Sequence, residues 1–297
     1  MNLLNYPFII RVVLSVFLSI SSLFCQLFDL AVIPYGIPTD MDRFELVWSD
    51  EFDGNEIDET KWDTTPVWNA DKTGTSVRKG GYWNPKMCSV SDGALHISTK
   101  YYPDGFEGNG KPGWYSTQIT TDDKFEKCGG YFECRCILPK GAGLWSAFWI
   151  YSGDVGSIGS GGVDGAEIDI FESPYYCKKG KQKNSVSSCI HYDGYGEYHK
   201  QRTACRTRIV GNNPYEEFNT YAVEWNEKEY IFYINGIKVG TSDFGGTSQV
   251  EEYMILSTEV GGENGIPAES WAGPSIEENK EAPTDFIVDY VRVYEYK

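Results

Sequence analysis

Three carboxylates, Glu167, Asp169 and Glu172, lie among apolar side chains in the stretch Ala166-Glu-Ile-Asp-Ile-Phe-Glu-Ser173. Carboxylates are seldom buried, and like charges held together raise one another's pKa, so the crowding points to proton transfer or nucleophilic attack. On a helix Glu167 and Glu172 diverge, whereas on a strand Glu167 and Asp169 share one face and Ile168 and Ile170 take the other. Strict alternation then puts Glu172 on the isoleucine face. One extra residue near Ile170 or Phe171, a β-bulge, returns it to the acidic face, and bulges are frequent beside active sites. The two glutamates would stand about four strand steps of ~3.3 Å apart along the backbone, with carboxyl groups able to approach the ~5–5.5 Å of a retaining glycosidase pair. A solvated acidic strand face is the competing reading, and the rest of the chain decides between them.

The elements that position these acids are legible as strands. Period-two alternation recurs at Phe44–Trp48, Ala94–Thr99, Gly130–Leu138, Trp145–Tyr151, Glu167–Phe171, Thr220–Trp225, Tyr230–Ile234, Met254–Thr258 and Phe286–Tyr294, with Gly, Pro, Asn and Asp clusters between them. No long helical period competes. Asn235-Gly236 is a two-residue hairpin signal between apolar runs. Many strands and no linker predict an all-β chain folded as a β-sandwich of the jelly-roll kind. Three glycine-rich stretches, Asp104–Gly113, Gly153–Gly165 and Gly261–Gly273, exceed ordinary sandwich turns, and long loops in a compact domain often carry function.

Within Leu144-Trp-Ser-Ala-Phe-Trp-Ile-Tyr151, Leu144, Ser146, Phe148 and Ile150 share a side that reads as core. Trp145, Ala147, Trp149 and Tyr151 share the other, where a small Ala between two Trp leaves room for a flat ring to stack, although taken alone the stripe reads as core before ligand platform. Glu133 and Arg135 also share a face, which reads first as an ion-paired structural role.

Composition narrows the partners. A formal charge of −17 over 297 residues argues against nucleic acid and against strongly anionic polymers, and favours a neutral ligand. Nine Trp and 21 Tyr suit a protein that stacks rings on a ligand. Residues 1–26 contain the apolar run Val12–Phe24, too short to span a bilayer, and read as a secretory signal peptide. An uncleaved signal anchor is the alternative and the one route to membrane association. Residues 27–297 are then one extracellular domain, expected to act as a monomer. Of eight cysteines, Cys25 lies in the signal region, and the remaining seven leave one unpaired. Cys177 and Cys189 flank a polar loop that a disulfide between them would close; a metal site from Cys177, Cys189 and His191 matches no usual zinc spacing.

Taken together, Glu167–Glu172, the Gly130–Trp149 segment with Leu138-Pro-Lys-Gly-Ala-Gly-Leu-Trp145, Val47-Trp-Ser-Asp-Glu-Phe-Asp53, Tyr221-Ala-Val-Glu-Trp225, Tyr233-Ile-Asn-Gly236 and Val288-Asp-Tyr-Val-Arg-Val-Tyr294 resemble glycoside hydrolase family 16. These are the endo-β-1,3- and β-1,3-1,4-glucanases and their relatives, and the likeness runs over about residues 44–297. The resemblance implies a concanavalin A-like jelly roll with a concave substrate cleft. It assigns Glu167 as nucleophile, Glu172 as general acid/base and Asp169 as the acid between them. It places Trp145, Trp149 and His191 against substrate, and Trp83, in Tyr82-Trp-Asn-Pro85, at one end of the cleft. No cofactor is required. Many members carry a structural calcium, to which Asp289 would contribute, although the sequence itself shows no such site.

The reaction expected is retaining hydrolysis of internal β-linkages in a neutral polysaccharide, a β-1,3- or β-1,3-1,4-glucan first. Departures from the family pattern at Ser146, Ser257 and Glu259 put the sugar in doubt, and a β-galactan is the alternative substrate. Transglycosylation on the same scaffold and a non-catalytic glucan-binding lectin are the other readings; retention of both glutamates speaks against the lectin.

Overall fold

The computed structural model describes residues 38–67, 74–174, 185–209, 212–278 and 284–297. The N-terminal segment read as a signal peptide, and Cys177, lie outside these residues. Among the described residues the fold is two large β-sheets with short 3-10 turns and no α-helix.

The eleven-stranded sheet runs Ile237–Ser242, Tyr230–Ile234, Asn219–Trp225, Gly130–Ile137, Thr284–Tyr296, Ala94–Tyr102, Gly113–Ser116, Gly81–Trp83 and Ser76–Arg78, with Phe44–Asp50 and Cys88–Ser91 paired alongside. The seven-stranded sheet runs Lys200–Arg208, Ser185–Tyr192, Glu167–Pro174, Leu144–Tyr151, Glu252–Val260 and Gln118–Thr120, with Glu126–Lys127 beside Glu252–Val260. The core lies between them. Phe148, Ile150, Ile168, Ile170, Phe171, Ile190, Met254 and Leu256 from one sheet meet Leu95, Ile97, Phe132, Val223, Phe232, Phe286, Val288 and Val291 from the other. At about 25 cal/mol per Å² of apolar surface removed from water, this burial is the main force closing the sandwich.

The alternation at Leu144–Tyr151 resolves as its residue types dictate. Phe148 and Ile150 are fully buried in the core, and Ser146 is fully buried beside them. Trp145, Ala147 and Trp149 face outward and line a groove. Asn235 and Gly236 take positive φ of 51° and 71°, as a two-residue hairpin turn matched to strand twist requires.

The strand Lys200–Arg208 has no period-two signature. It is a sheet edge, paired only to Ser185–Tyr192 and polar except at Ala204 and Cys205, which pack against the core. Lys and Arg at an edge hinder pairing with another chain, so its sequence reflects that position more than a buried face.

Candidate active site

The bulge falls where the spacing of the acids demands it. Against Leu144–Tyr151, Phe148 pairs with Phe171 and Trp149 with Asp169, so Ile170 is the extra residue. Against Ser185–Tyr192, Asp169 pairs with Cys189 and Glu172 with Ser187, with the register shift between them. Ile170 and Phe171 both enter the core, while Glu167, Asp169 and Glu172 all line one groove of ≈ 570 Å³ on the outer face of the seven-stranded sheet.

The surroundings of the three acids differ. Glu172 Oε1 accepts from Trp145 Nε1 at 3.0 Å. Burial, reinforced by the charges of Asp169, Glu167 and Glu259, pushes Glu172 well above the usual carboxylate range, and the indole bond opposes this only in part. Glu167 is also raised by burial, but His191, the Tyr195 hydroxyl and Arg78 all pull it back down. Tyr195 OH donates to Glu167 Oε2, and His191 Nε2 lies 3.8 Å from Glu167 Oε1. Asp169 is 3% exposed and raised well above its ordinary value by burial and by the Glu167 and Glu259 charges. Two carboxyls whose environments push them apart are the arrangement that lets one ionise while the other keeps its proton.

His191 pairs in register with Glu167 and sits 3.3 Å from Asp169 Oδ2 through Nε2. Its Nδ1 meets His199 Nε2 at 2.9 Å, with the two rings stacked. Burial lowers the His191 pKa, and the Glu167 charge opposes this. Trp149 Nε1 donates to Ser257 Oγ at 3.2 Å, which fixes the indole edge and leaves its ring along the groove.

Trp83 is the expected contact that the structure moves elsewhere. It is 2% exposed, its Nε1 donates to the Thr258 carbonyl at 2.9 Å, and it does not line the groove. Its ring supports the Arg78 guanidinium, whose Nε donates to Glu259 at 2.6 Å. A flat ring between strands gains more from full burial than from exposure, so Trp83 acts on the groove only through Arg78. Asp289 is ion-paired with Arg135 at 2.5 Å. Among the described residues no group of three His, Cys or acidic ligand atoms gathers around it.

The groove also holds Arg78, Lys79, Tyr195, His199, Arg206, Ser257, Glu259 and Trp271. Trp271 meets Trp145 edge to face at 4.8 Å. It lies in the glycine-rich stretch 261–273 singled out for its length, so a signal existed for it. Tyr195 and His199 come from an irregular segment whose fold no periodicity announces, and Arg206 from the polar edge strand.

Residues 45–296 match the family model described as "Beta-porphyranase A-D, GH16 domain". The glucan endo-1,3-beta-glucosidase A1 of Niallia circulans is 27% identical over 88% of this chain and 40% of its own length. The keratan-sulfate endo-1,4-beta-galactosidase of Sphingobacterium multivorum is 28% identical over 84% of this chain and 55% of its own length. The chain thus spans about half the length, or less, of these two relatives. The laminarinase catalytic domain of Thermotoga maritima superposes with a TM-score of 0.66 at 26% identity, covering 86% of this chain and 99% of that one. With a jelly-roll sandwich, a bulged acidic strand and a family match over nearly the whole described chain, the protein belongs to glycoside hydrolase family 16.

Proposed function

We propose that the protein is a retaining endo-glycosidase that cleaves internal β-linkages of a polysaccharide, a β-1,3- or β-1,3-1,4-glucan first. The observation that carries this is the unequal treatment of two glutamates on one strand face: Glu167 is drawn back toward ionisation by His191, Tyr195 and Arg78, while Glu172 is held protonated by burial and neighbouring charge. Glu167 attacks the anomeric carbon as Glu172 gives its proton to the departing glycosidic oxygen. Glu172, now a carboxylate, then removes a proton from the water that releases the glycosyl-enzyme. Trp145, Trp149 and Trp271 supply apolar ring faces and edges along the groove for the flanking sugars.

A second substrate reading rests on a specific observation. Arg78, Lys79 and Arg206 line the groove despite the acidity of the whole chain, and Arg206 stands in the same cross-strand row as Glu172 and Ser187. A galactan bearing anionic groups would meet those cations. The porphyranase description of the matching family and the keratan-sulfate activity of one relative point the same way. We further infer that residues 1–26 direct secretion. One experiment addresses both: assay culture medium and cell extract of expressing cells on laminarin, lichenan, a β-1,3-galactan and a sulfated galactan, scoring reducing ends and product masses. Products in the medium from a glucan support the first reading, and products from a sulfated galactan alone support the second. No release from any of them would count against the proposed reaction.

A further inference from the structure

The floor of the groove sets Asp169 and His191, which the hydrolytic reading uses, beside Cys189, which it does not. The register across the bulge sets Asp169 opposite Cys189, with His191 two residues along the same strand. One ligand atom from each of Asp169, Cys189 and His191 lies within 4.8 Å of the other two. We propose that these three side chains form a site for a borderline-soft divalent transition metal of the zinc class.

Three observations carry the site. The 3.3 Å between His191 Nε2 and Asp169 Oδ2 is the separation of two ligands each at ~2.0–2.1 Å from a tetrahedral ion. Asp169 Oδ2 is buried and has no hydrogen-bond partner, although Asp169 itself is 3% exposed, so the oxygen is an orphan aimed into the cluster. His191 Nδ1 lies 2.9 Å from His199 Nε2. When His191 donates its Nδ1 proton there, its Nε2 lone pair is turned toward that orphan oxygen. Two facing lone pairs repel unless a proton or a cation stands between them, and a metal-bound histidine commonly donates its other ring N–H to an outer partner in this way.

Cys189 carries a free thiol, 6% exposed, and burial beside Asp169 and Glu172 holds it protonated in the metal-free protein. Coordination replaces the thiol proton, which passes to solvent, as does any proton on Asp169; the ion then holds sulfur, nitrogen and oxygen with a fourth position open to water. The second acidic group, Asp122, Asp123 and Glu126, is oxygen-only and two of its three residues are exposed, so it offers no thiolate and serves as an internal contrast.

The test reads the metal rather than hydrolysis, so its outcome is independent of which polysaccharide is cleaved. Titrating the purified full chain with Co²⁺ should raise a thiolate-to-cobalt charge-transfer absorption that saturates at one equivalent and disappears on adding Zn²⁺ or a chelator. Cys189→Ser should abolish the band, and His199→Ala should keep it while weakening affinity by about 10–100-fold. Absence of the band in the wild-type chain, or an undiminished band in a folded Cys189→Ser variant, overturns the site. If Cys189→Ser fails to fold, alkylation of the wild-type chain mapped by mass spectrometry decides: protection of Cys189 by Zn²⁺ supports the site, and unchanged labelling with Zn²⁺ overturns it.

Discussion

Acidic residues occur on both sheets, and two sets of them, Glu224, Glu51 and Asp289 around one sheet and Glu167, Asp169 and Glu172 on the other, are treated in opposite ways. Around the eleven-stranded sheet they are given partners. Glu224 accepts both Arg43 guanidinium nitrogens at 3.1 and 2.9 Å and the hydroxyls of Tyr233 and Tyr296 at 2.9 Å each. Glu51 receives Arg292 through two nitrogens, and Asp289 receives Arg135. These contacts hold Glu224 and Glu51 below the usual carboxylate range, even against burial. In the groove the acids stand among one another, and burial with like charge lifts all three. Position on a strand does not separate the two groups, since both alternate with apolar residues. What separates Glu224 and Glu51 from Glu167, Asp169 and Glu172 is a guanidinium bound through two nitrogens from a distant part of the chain, and under the proposed function that difference divides acids that hold the fold from acids that do chemistry.

The largest effect that sharpens this contrast is on turnover. Glu167→Gln and Glu172→Gln should each lower kcat by at least about 10²–10⁴-fold, the usual scale for losing a positioned catalytic group. Neither should destabilise the protein at neutral pH. A carboxyl whose folded pKa lies above its unfolded value gives most stability below the unfolded pKa, and that stability is lost as pH rises through the folded pKa. Glutamine removes that loss, so both variants should melt at or above the wild-type temperature near pH 8. Thermal melts at pH 5 and pH 8 beside steady-state kinetics check it. A variant that lost activity by unfolding would break the comparison.

On the other sheet the pattern should reverse. Glu224→Ala strands the buried Tyr233 hydroxyl and the Arg43 guanidinium, and should cost about 2–3 kcal/mol in denaturant unfolding while leaving kcat near wild type at low temperature. The folded pKa of Glu224 is depressed, so its contribution is present above the unfolded pKa and is lost as pH falls through the folded value. The gap between wild type and variant should therefore close in strong acid. A gap that stayed constant with pH would mean that packing, not charge, sets the loss.

This division also explains what could be read in advance. The bulge at Ile170 was legible because three acids and two isoleucines cannot otherwise satisfy a period of two, and the Trp stripe was legible because Ala147 interrupts it. Those are local constraints. Trp83 reads equally well as groove or core until Thr258 and Arg78 are seen to close on it, and both are brought there by tertiary pairing. Arg206, Tyr195 and His199 carry no signal because an edge strand and an irregular segment impose no alternation. The ion pair foreseen for Glu133 and Arg135 forms differently: Arg135 takes Asp289, and Glu133 takes the hydroxyl of Tyr290 at 2.8 Å. A face can be predicted from spacing, but a partner across the sheet depends on register.

The smallest effect tests the finest part of the contrast, a neutral donor that reaches a groove acid from outside the two sheets. Tyr195 is 54% exposed, yet its hydroxyl donates to Glu167 Oε2 and lowers that carboxyl's pKa. Glu172 receives no such help from it, its one opposing contact being Trp145. Tyr195→Phe should therefore move the acid limb of kcat/KM upward, because Glu167 must ionise before it attacks and loses a stabiliser of its ionised form. The alkaline limb, set by the proton on Glu172, should stay where it is. A pH–rate profile of the two proteins on the same substrate measures both limbs at once. If both limbs moved together, the hydroxyl would be acting on the whole acidic cluster; if neither moved, its bond to Glu167 would contribute nothing to the nucleophile's charge state.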